Sequence, residues 1–94
     1  MGKINKKLVS VIIPAYKQEK TIVTDIKNVD DVMSKSRFDH EIIVVVDGFV
    51  DKTFENAQGV KNSHIKIFGY KDNKGKGYAV RYGMARSKGD YIVF

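Results

Sequence analysis

The fold of this chain is indicated most clearly by the stretch Glu41-Ile42-Ile43-Val44-Val45-Val46-Asp47, in which five aliphatic residues lie between two carboxylates. A short, continuous apolar run of this kind is typical of a strand buried on both faces of a parallel sheet. Similar runs occupy residues 8–13, which Pro14 closes, and residues 65–70. A fourth run begins at Tyr91. The sequence therefore predicts four strands.

Helical patterns separate these strands. After Glu19, apolar residues follow the spacing of one helical stripe at Ile22, Ile26, Val29 and Met33. A shorter helix after Gly48 is expected to turn Phe54 and Ala57 inward, and a third helix is expected over residues 78–87. The alternation predicts a single α/β domain over residues 1–94, with a Rossmann-like, mainly parallel sheet and helices on both faces.

The composition narrows the class of protein. Hydrophobic residues make up 43% of the 94 residues, which excludes a mainly disordered chain although 30% are charged. No apolar run approaches the roughly 18 residues of a membrane span, and residues 1–7 lack the apolar segment of a signal peptide. Cysteine is absent, which excludes disulfides and fits a reducing compartment. We therefore expect a cytoplasmic location.

The net charge points to an anionic partner. Lysine and arginine outnumber aspartate and glutamate by 17 to 11, a formal charge of +6. Such an excess favours nucleotides, phospholipid head groups or nucleic acid as partners, or it only keeps the surface solvated.

A glycine- and lysine-rich loop, residues 71–77, follows the third predicted strand. It is not a Walker loop, because five residues separate Gly69 from Gly75 and a glycine follows Lys76. It also fails the dinucleotide fingerprint, which belongs after the first strand. Free backbone N–H groups at the start of the next helix would still suit an anion, with Lys74, Lys76 and Arg81 nearby. The alternative is a turn that only lets this helix pack closely.

The carboxyl ends of the first two strands carry further candidates. In open parallel sheets ligands bind at this edge. Tyr16, after Pro14 and Ala15, is placed to stack on a base, and Asp47 is placed to hydrogen-bond to its rim. Taken singly, a tyrosine such as Tyr16 is more often a half-buried packing residue, and Asp47 would only cap the following helix.

The two histidines give no pattern of a metal site. His40 and His64 each precede a predicted strand, without a second histidine or a carboxylate at ligand spacing. We expect both to be loop residues and no metal to bind there.

Three motifs, in order, carry a family resemblance that covers nearly the whole chain. They are Val9-Ser10-Val11-Ile12-Ile13-Pro14-Ala15-Tyr16; Glu41-Ile42-Ile43-Val44-Val45-Val46-Asp47-Gly48 with Asp51 and Thr53; and Asn73-Lys74-Gly75-Lys76-Gly77 with Ala79, Gly83, Ala85, Gly89 and Asp90-Tyr91-Ile92. Together they resemble the family 2 glycosyltransferases, in particular the polyprenyl- and dolichyl-phosphate sugar transferases. The resemblance implies the amino-terminal, nucleotide-binding half of a GT-A fold.

The resemblance also implies roles for residues. The substrate-binding residues would be Pro14, Ala15, Tyr16, Glu19, Asp47 and Lys76. The segment from Pro14 to Tyr16 would hold the base and ribose of a nucleoside diphosphate sugar, Asp47 would contact the base, and Lys76 would lie near the nucleotide. The chain departs from the family at Lys17 and Gln18, where Asn and Glu are usual, and at Val46 and Phe49 of the usual Asp-Asp-Gly-Ser.

The catalytic parts of the family pattern would fall beyond these residues. The Asp-x-Asp element that holds Mg²⁺ or Mn²⁺ would come just after Phe94, and the general base would lie in the acceptor-binding half. We therefore expect an amino-terminal fragment, inactive alone, of an enzyme that transfers a hexose to a lipid-phosphate or glycan acceptor at the cytoplasmic membrane face.

The expected partners follow from this reading. They are a nucleoside diphosphate sugar and a lipid-linked acceptor, with no nucleic acid. A homodimer is expected through residues 91–94 if the fourth strand lies beside the first and leaves an uncovered edge.

A different class of function also fits the residues. The chain would then be a stand-alone regulatory module that binds a nucleotide or another anion. A receiver domain is disfavoured, because Pro14, Ala15 and Tyr16 replace its acidic pair after the first strand.

Overall fold

The computed structural model describes residues 6–94. Strands and helices alternate along the chain. They are β1 (Leu8–Ala15), α1 (Ile22–Ser34), β2 (Asp39–Asp47), α2 (Thr53–Gln58), β3 (Ile65–Tyr70), α3 (Lys76–Ala85) and β4 (Tyr91–Val93).

The strands form one parallel sheet in the order β3-β2-β1-β4. In the register, Ser10 lies opposite Glu41, Val44 opposite Ile67, and Val11 opposite Val93. The predicted Rossmann-like parallel sheet is therefore confirmed, and β4 does lie beside β1. Since all strands run the same way, their carboxyl ends meet at one edge.

Alternation along β2 gives the sheet two apolar faces. Ile42, Val44 and Val46 point to the face that α1 and α2 cover, where Ile26 and Ala57 join them. Ile43 and Val45 point to the other face, where Ala79 and Tyr82 of α3 pack. All five aliphatic residues of β2 are fully buried, because the strand lies between two neighbours in the sheet and two helical layers. The prediction of helices on both faces is confirmed.

Three boundaries differ from the sequence prediction. β1 continues through Pro14 to Ala15, with Pro14 opposite Val45. A proline is tolerated there because β4 pairs only with residues 9–11 of β1, so Pro14 lies beyond that ladder. β2 begins two residues earlier, at Asp39, and α3 spans 76–85 rather than 78–87.

The buried carboxylate of Glu41 connects β1, β2 and β3 with the segment that precedes β4. Glu41 is 4% exposed, and its Oε2 accepts hydrogen bonds from Ser10 Oγ (2.6 Å) and from the backbone N–H of Lys88 (2.6 Å). Its Oε1 pairs with Lys66 Nζ at 3.3 Å, and Gly89 N–H donates to Ser10 Oγ at 2.8 Å. Burial raises the pKa of Glu41, but these hydrogen bonds outweigh it and hold the pKa below its usual value.

Among residues 6–94, no helix combines the length and the apolar character needed to cross a bilayer.

Candidate functional site

A cleft of about 630 Å³ lies at the carboxyl ends of β1 and β2. The loop between β3 and α3 also lines it. Its walls come from four segments that are far apart in sequence. The lining residues are Pro14, Ala15, Tyr16, Gln18, Asp47, Asn73, Gly75, Lys76 and Phe94.

The turn after β1 presents an aromatic ring to this cleft. Tyr16 is 40% exposed, although Ala15 before it is buried. Lys17 takes a left-handed conformation (φ 52°), and Gln18 then folds back so that its Oε1 accepts from Tyr16 N–H at 3.1 Å. Gln18 N–H also donates to Thr53 Oγ1 at 2.7 Å. The turn is thus fixed to the start of α2 while the ring of Tyr16 stays accessible.

Asp47, the last residue of β2, organises the opposite wall. It is 3% exposed, and its carboxylate accepts three hydrogen bonds from the β3–α3 loop. Asn73 Nδ2 and Gly75 N–H donate to Oδ2 at 2.8 and 2.9 Å, and Lys74 N–H donates to Oδ1 at 2.7 Å. Hydrogen bonds to an ionised acceptor are the stronger kind, so one carboxylate fixes the path of the loop.

Two glycines make this loop geometry possible. Gly48 (φ 106°) and Gly75 (φ 95°) both have backbone angles that side-chain-bearing residues rarely adopt. A Cβ on Gly48 would also lie 3.1 Å from the backbone nitrogen of Asn73. Gly75 is the N-cap of α3, and no side chain caps that helix. The first N–H groups of α3 are therefore left to face the cleft.

The start of α3 is cationic. Lys76 is its first residue and lines the cleft. The Nζ of Lys74 lies 5.3 Å from the centre of the Tyr78 ring, a cation–π distance. A Cβ built on Gly77 would lie 3.3 Å from Nη1 of Arg81, so this guanidinium also lies beside the first turn. Lys76 thus lines the cleft at the positive end of the helix dipole, and Lys74 and Arg81 lie near that end without lining the cleft.

One polar group beneath the cleft has no partner. The hydroxyl of Tyr70 is buried and makes no hydrogen bond within residues 6–94. Burial, together with the nearby Asp47 carboxylate, raises the pKa of Tyr70 well above its usual value. Tyr70 is therefore a neutral side chain that packs against Tyr78 and Tyr82.

The family described as Glycosyl transferase family 2 matches residues 10–94, which include the whole cleft. The chain belongs to this family. The match confirms the resemblance inferred from the three sequence motifs.

Named relatives in this family act on several sugars and acceptors. A dolichyl-phosphate beta-glucosyltransferase of Drosophila melanogaster is 32% identical over an alignment of 94 positions, which covers 90% of this chain and 29% of that protein. A dolichol-phosphate mannosyltransferase of Pyrococcus furiosus is 31% identical (90% and 24%), and a cholesterol galactosyltransferase of Borreliella burgdorferi is 33% identical (97% and 25%). The chain thus spans a quarter to a third of the length of these glycosyltransferases.

Five of the six predicted substrate-binding residues meet in the cleft of this family 2 domain. They are Pro14, Ala15, Tyr16, Asp47 and Lys76. Glu19 does not line it: its Oε1 accepts from the backbone N–H of Lys52 (3.0 Å) and its carbonyl from Asn56 Nδ2 (3.0 Å), so Glu19 supports α2. Its contact with a nucleotide stays a prediction.

The predicted substrate-binding set left out four lining residues, Gln18, Asn73, Gly75 and Phe94, of which Asn73 and Gly75 belong to the third sequence motif. Gln18 was noticed only as a departure from the family pattern. The one available signal was its position in the turn between β1 and α1.

The described part of this glycosyltransferase domain does not offer a site for the family's divalent metal. In the cleft lining formed by residues 6–94, Asp47 is the sole carboxylate, and both its oxygens accept hydrogen bonds. Mg²⁺ is usually held by one or two carboxylates that face the substrate phosphates. These residues therefore do not fit the ion.

The expectation for the two histidines was wrong in two respects. His40 is the second residue of β2, not a loop residue, because the strand starts at Asp39. A carboxylate does accompany both rings: Asp30 Oδ1 lies 2.7 Å from Nε2 of His40 and 2.8 Å from Nε2 of His64. The three residues are distant in sequence, so no local spacing revealed the cluster.

Proposed function

We propose that this chain is the donor-binding part of a glycosyltransferase that transfers a hexose from a nucleoside diphosphate sugar to a lipid-phosphate or glycan acceptor. The observation that carries the proposal is the composition of the cleft. One wall carries an exposed aromatic ring. The other wall carries the start of a helix whose first residue is a lysine and which has no side-chain cap. An aromatic ring suits a base, and a cationic helix start suits a diphosphate. Residues 1–94 would act as one nucleotide-sugar-binding domain.

The base would stack on Tyr16. The ring is 40% exposed, and Lys17 Nζ lies 5.2 Å from its centre. Asp47 would accept a hydrogen bond from an N–H of the base. A carboxylate has about four acceptor positions, and the loop donors use three of them, which leaves one on Oδ1.

The diphosphate would lie at the start of α3. Free backbone N–H groups and Lys76 would bind it, with Arg81 as a second cation near Gly77. Lys74 would contribute less, because its ammonium group already lies over the ring of Tyr78.

The acceptor belongs to the proposal for the whole protein. Two of the relatives are named for dolichyl or dolichol phosphate and a third for cholesterol, which supports a lipid-linked acceptor. Such an acceptor would place the enzyme at the cytoplasmic face of a membrane. In a protein as long as these relatives, the acceptor site and the ligands for Mg²⁺ or Mn²⁺ would come from outside residues 6–94.

These residues alone are expected to transfer no sugar. In a protein as long as these relatives, the general base that activates the acceptor hydroxyl would come from outside residues 6–94, like the metal ligands. Sugar transfer by the 94-residue chain would contradict this.

Calorimetric titration of the chain with UDP, GDP and ADP, each with and without Mg²⁺ or Mn²⁺, tests the proposal. We expect one nucleotide to bind selectively. Tyr16→Ala should weaken binding by about tenfold or more through lost stacking, and Lys76→Ala by about tenfold through a lost charged hydrogen bond.

Lys61→Ala is the matched control, because Lys61 is exposed in the α2–β3 loop at the other edge of the sheet. It should leave affinity unchanged. Failure of the folded chain to bind any of the three nucleotides would contradict the proposal, as would equal losses in Lys61→Ala and Lys76→Ala.

A further inference from the structure

The edge of the sheet opposite the cleft carries a cluster of three side chains from three elements. Asp30 belongs to α1, His40 is near the start of β2, and His64 directly precedes β3. Parallel pairing of Ile42 with Ile65 brings the amino ends of β2 and β3 together, and with them both imidazoles. The two rings meet edge to face with centres 5.0 Å apart. The sheet register, not the local sequence, thus builds the cluster.

The two imidazole rings approach the same carboxylate oxygen. Nε2 of His40 and Nε2 of His64 lie 2.7 and 2.8 Å from the same oxygen, Oδ1 of Asp30. One ligand atom from each residue lies within 4.8 Å of the other two. Around a tetrahedral zinc ion with bonds of about 2.0 to 2.2 Å, ligand atoms are about 3.3 Å apart. The two nitrogen–oxygen distances would therefore have to lengthen by about 0.5 to 0.6 Å to admit an ion.

The cluster is also accessible from solvent. The side chain of His40 is 10% exposed, that of Asp30 is 30% exposed and that of His64 is 39% exposed. They line a depression of about 470 Å³, so a fourth position is open to water. The other residues of the depression are Lys6, Ser34, Ser36, Phe38 and Asp39. Among these, Lys6 and Asp39 carry opposite charges, so together they add no net charge to the depression.

We propose that Asp30, His40 and His64 form a binding site for a first-row transition-metal dication such as Zn²⁺. Two imidazole nitrogens and one carboxylate oxygen are ligands that this class of ion prefers, whereas Mg²⁺ prefers oxygen ligands. On binding, each neutral imidazole coordinates through Nε2 and keeps its proton on Nδ1, and an imidazolium releases one proton first. The ion takes the place of the two hydrogen bonds to Asp30.

This site is separate from the donor cleft. The cluster lies at the amino ends of β2 and β3, and the cleft lies at the carboxyl ends of β1 and β2. The ion would therefore not contact the nucleotide diphosphate. It would instead join α1 to two strands, so it would stabilise the fold.

Titration of the metal-free chain with Zn²⁺ tests the proposal by two readouts. The first is the imidazole ¹⁵N spectrum, which is simple because the chain has two histidines. Both Nε2 signals should shift together and saturate at one Zn²⁺ per chain, and Mg²⁺ should neither cause nor compete with the shift. The second readout is the melting temperature, which Zn²⁺ should raise by binding the folded state.

Matched variants make the test specific. His64→Ala and Asp30→Asn should each weaken Zn²⁺ binding by about tenfold or more and abolish the rise in melting temperature. His64 is the safer histidine to replace, because it is the more exposed one. Asp31→Asn is the control, since Asp31 is exposed and pairs with Lys35.

Several results would overturn the proposal. One is a pair of Nε2 signals that do not move at saturating Zn²⁺, which would make the cluster a hydrogen-bonded brace only. Another is Zn²⁺ binding that His64→Ala leaves unchanged, and a third is a loss in Asp31→Asn equal to that in Asp30→Asn. None of these outcomes depends on nucleotide binding.

Discussion

Asn73 Nδ2 donates to both the carboxylate Oδ2 (2.8 Å) and the main-chain oxygen (3.1 Å) of Asp47, 26 residues earlier in the chain. One amide side chain thus holds the end of β2 against the loop that leads into α3. The Lys74 and Gly75 N–H groups complete this attachment. The shape of the cleft therefore depends on Asp47 even before any ligand binds.

Asp47→Asn should destabilise the fold. Three donors face this side chain, and an asparagine would offer one acceptor oxygen and one competing NH₂ group. We expect a loss of about 2 kcal/mol, the scale of a buried charged hydrogen bond, and a fall in melting temperature of about 10 °C. Thermal unfolding followed by circular dichroism measures it. Asp72→Asn, an exposed change in the same loop, should be neutral; similar losses in the two variants would contradict the role of Asp47.

Glu41 should make stability depend on pH. Its folded-state pKa lies below the usual 4.5, so the ionised form stabilises the fold above that pH. This contribution is lost as the pH falls through 4.5 toward the folded-state pKa. Glu41→Gln should therefore lower stability by about 2 kcal/mol at neutral pH, and its deficit should shrink as the medium becomes acidic.

Urea unfolding of both proteins between about pH 7 and about pH 3 measures this deficit. The pKa of Asp30 is also lowered, chiefly by its hydrogen bond with His40, so the wild-type profile contains more than one group. The difference between the two proteins isolates Glu41. Glu55→Gln, an exposed helical change, should follow the wild-type profile. A Glu41→Gln deficit that does not vary with pH would refute the linkage.

Gly75→Ala should lower the stability of the fold because of the backbone conformation alone. A Cβ at Gly75 would meet no atom within 4 Å, so a loss of stability would come from the φ of 95°. We expect about 1 to 3 kcal/mol in urea unfolding. At Gly59 φ is −68° and a Cβ would lie 3.3 Å from the carbonyl oxygen of Asn56, so alanine should there cost less than at Gly75. Equal effects at the two positions would mean that Gly75 does not need its unusual conformation.

The outer strand β4 is expected to support self-association. Tyr91, Ile92, Val93 and Phe94 are all exposed, the last at 76%, and an outer strand offers unpaired backbone groups. Sedimentation velocity of the 94-residue chain should show a dimer whose fraction grows with concentration. Ile92→Lys should shift it to monomer, whereas Val50→Lys, at an exposed loop position, should not. A chain that stays monomeric at high concentration would exclude this interface.

The sequence predicted the core of the fold because its patterns are local. The aliphatic run before Asp47 and the stripe from Ile22 to Met33 each identify one element from neighbouring residues alone. Boundaries were less predictable where tertiary pairing extends an element. β1 passes through Pro14 because that residue lies beyond the pairing with β4, which no local propensity encodes.

The sequence predicted those residues of the site that lie at the ends of strands. Tyr16 and Asp47 follow buried strands, and parallel strands bring their carboxyl ends to one edge. The sequence did not predict that Glu19 hydrogen-bonds to α2 and its N-cap. Its partners, Lys52 and Asn56, lie more than 30 residues away in the chain.

By itself, then, the sequence determined the alternating elements, their parallel arrangement and the edge at which a ligand would bind, because these follow from periodicity and chain direction. Tertiary structure alone decided that Asp47 is held by the glycine loop and that Asp30, His40 and His64 share one point in space. Those contacts depend on strand register and helix packing, which bring together residues that no short-range pattern links.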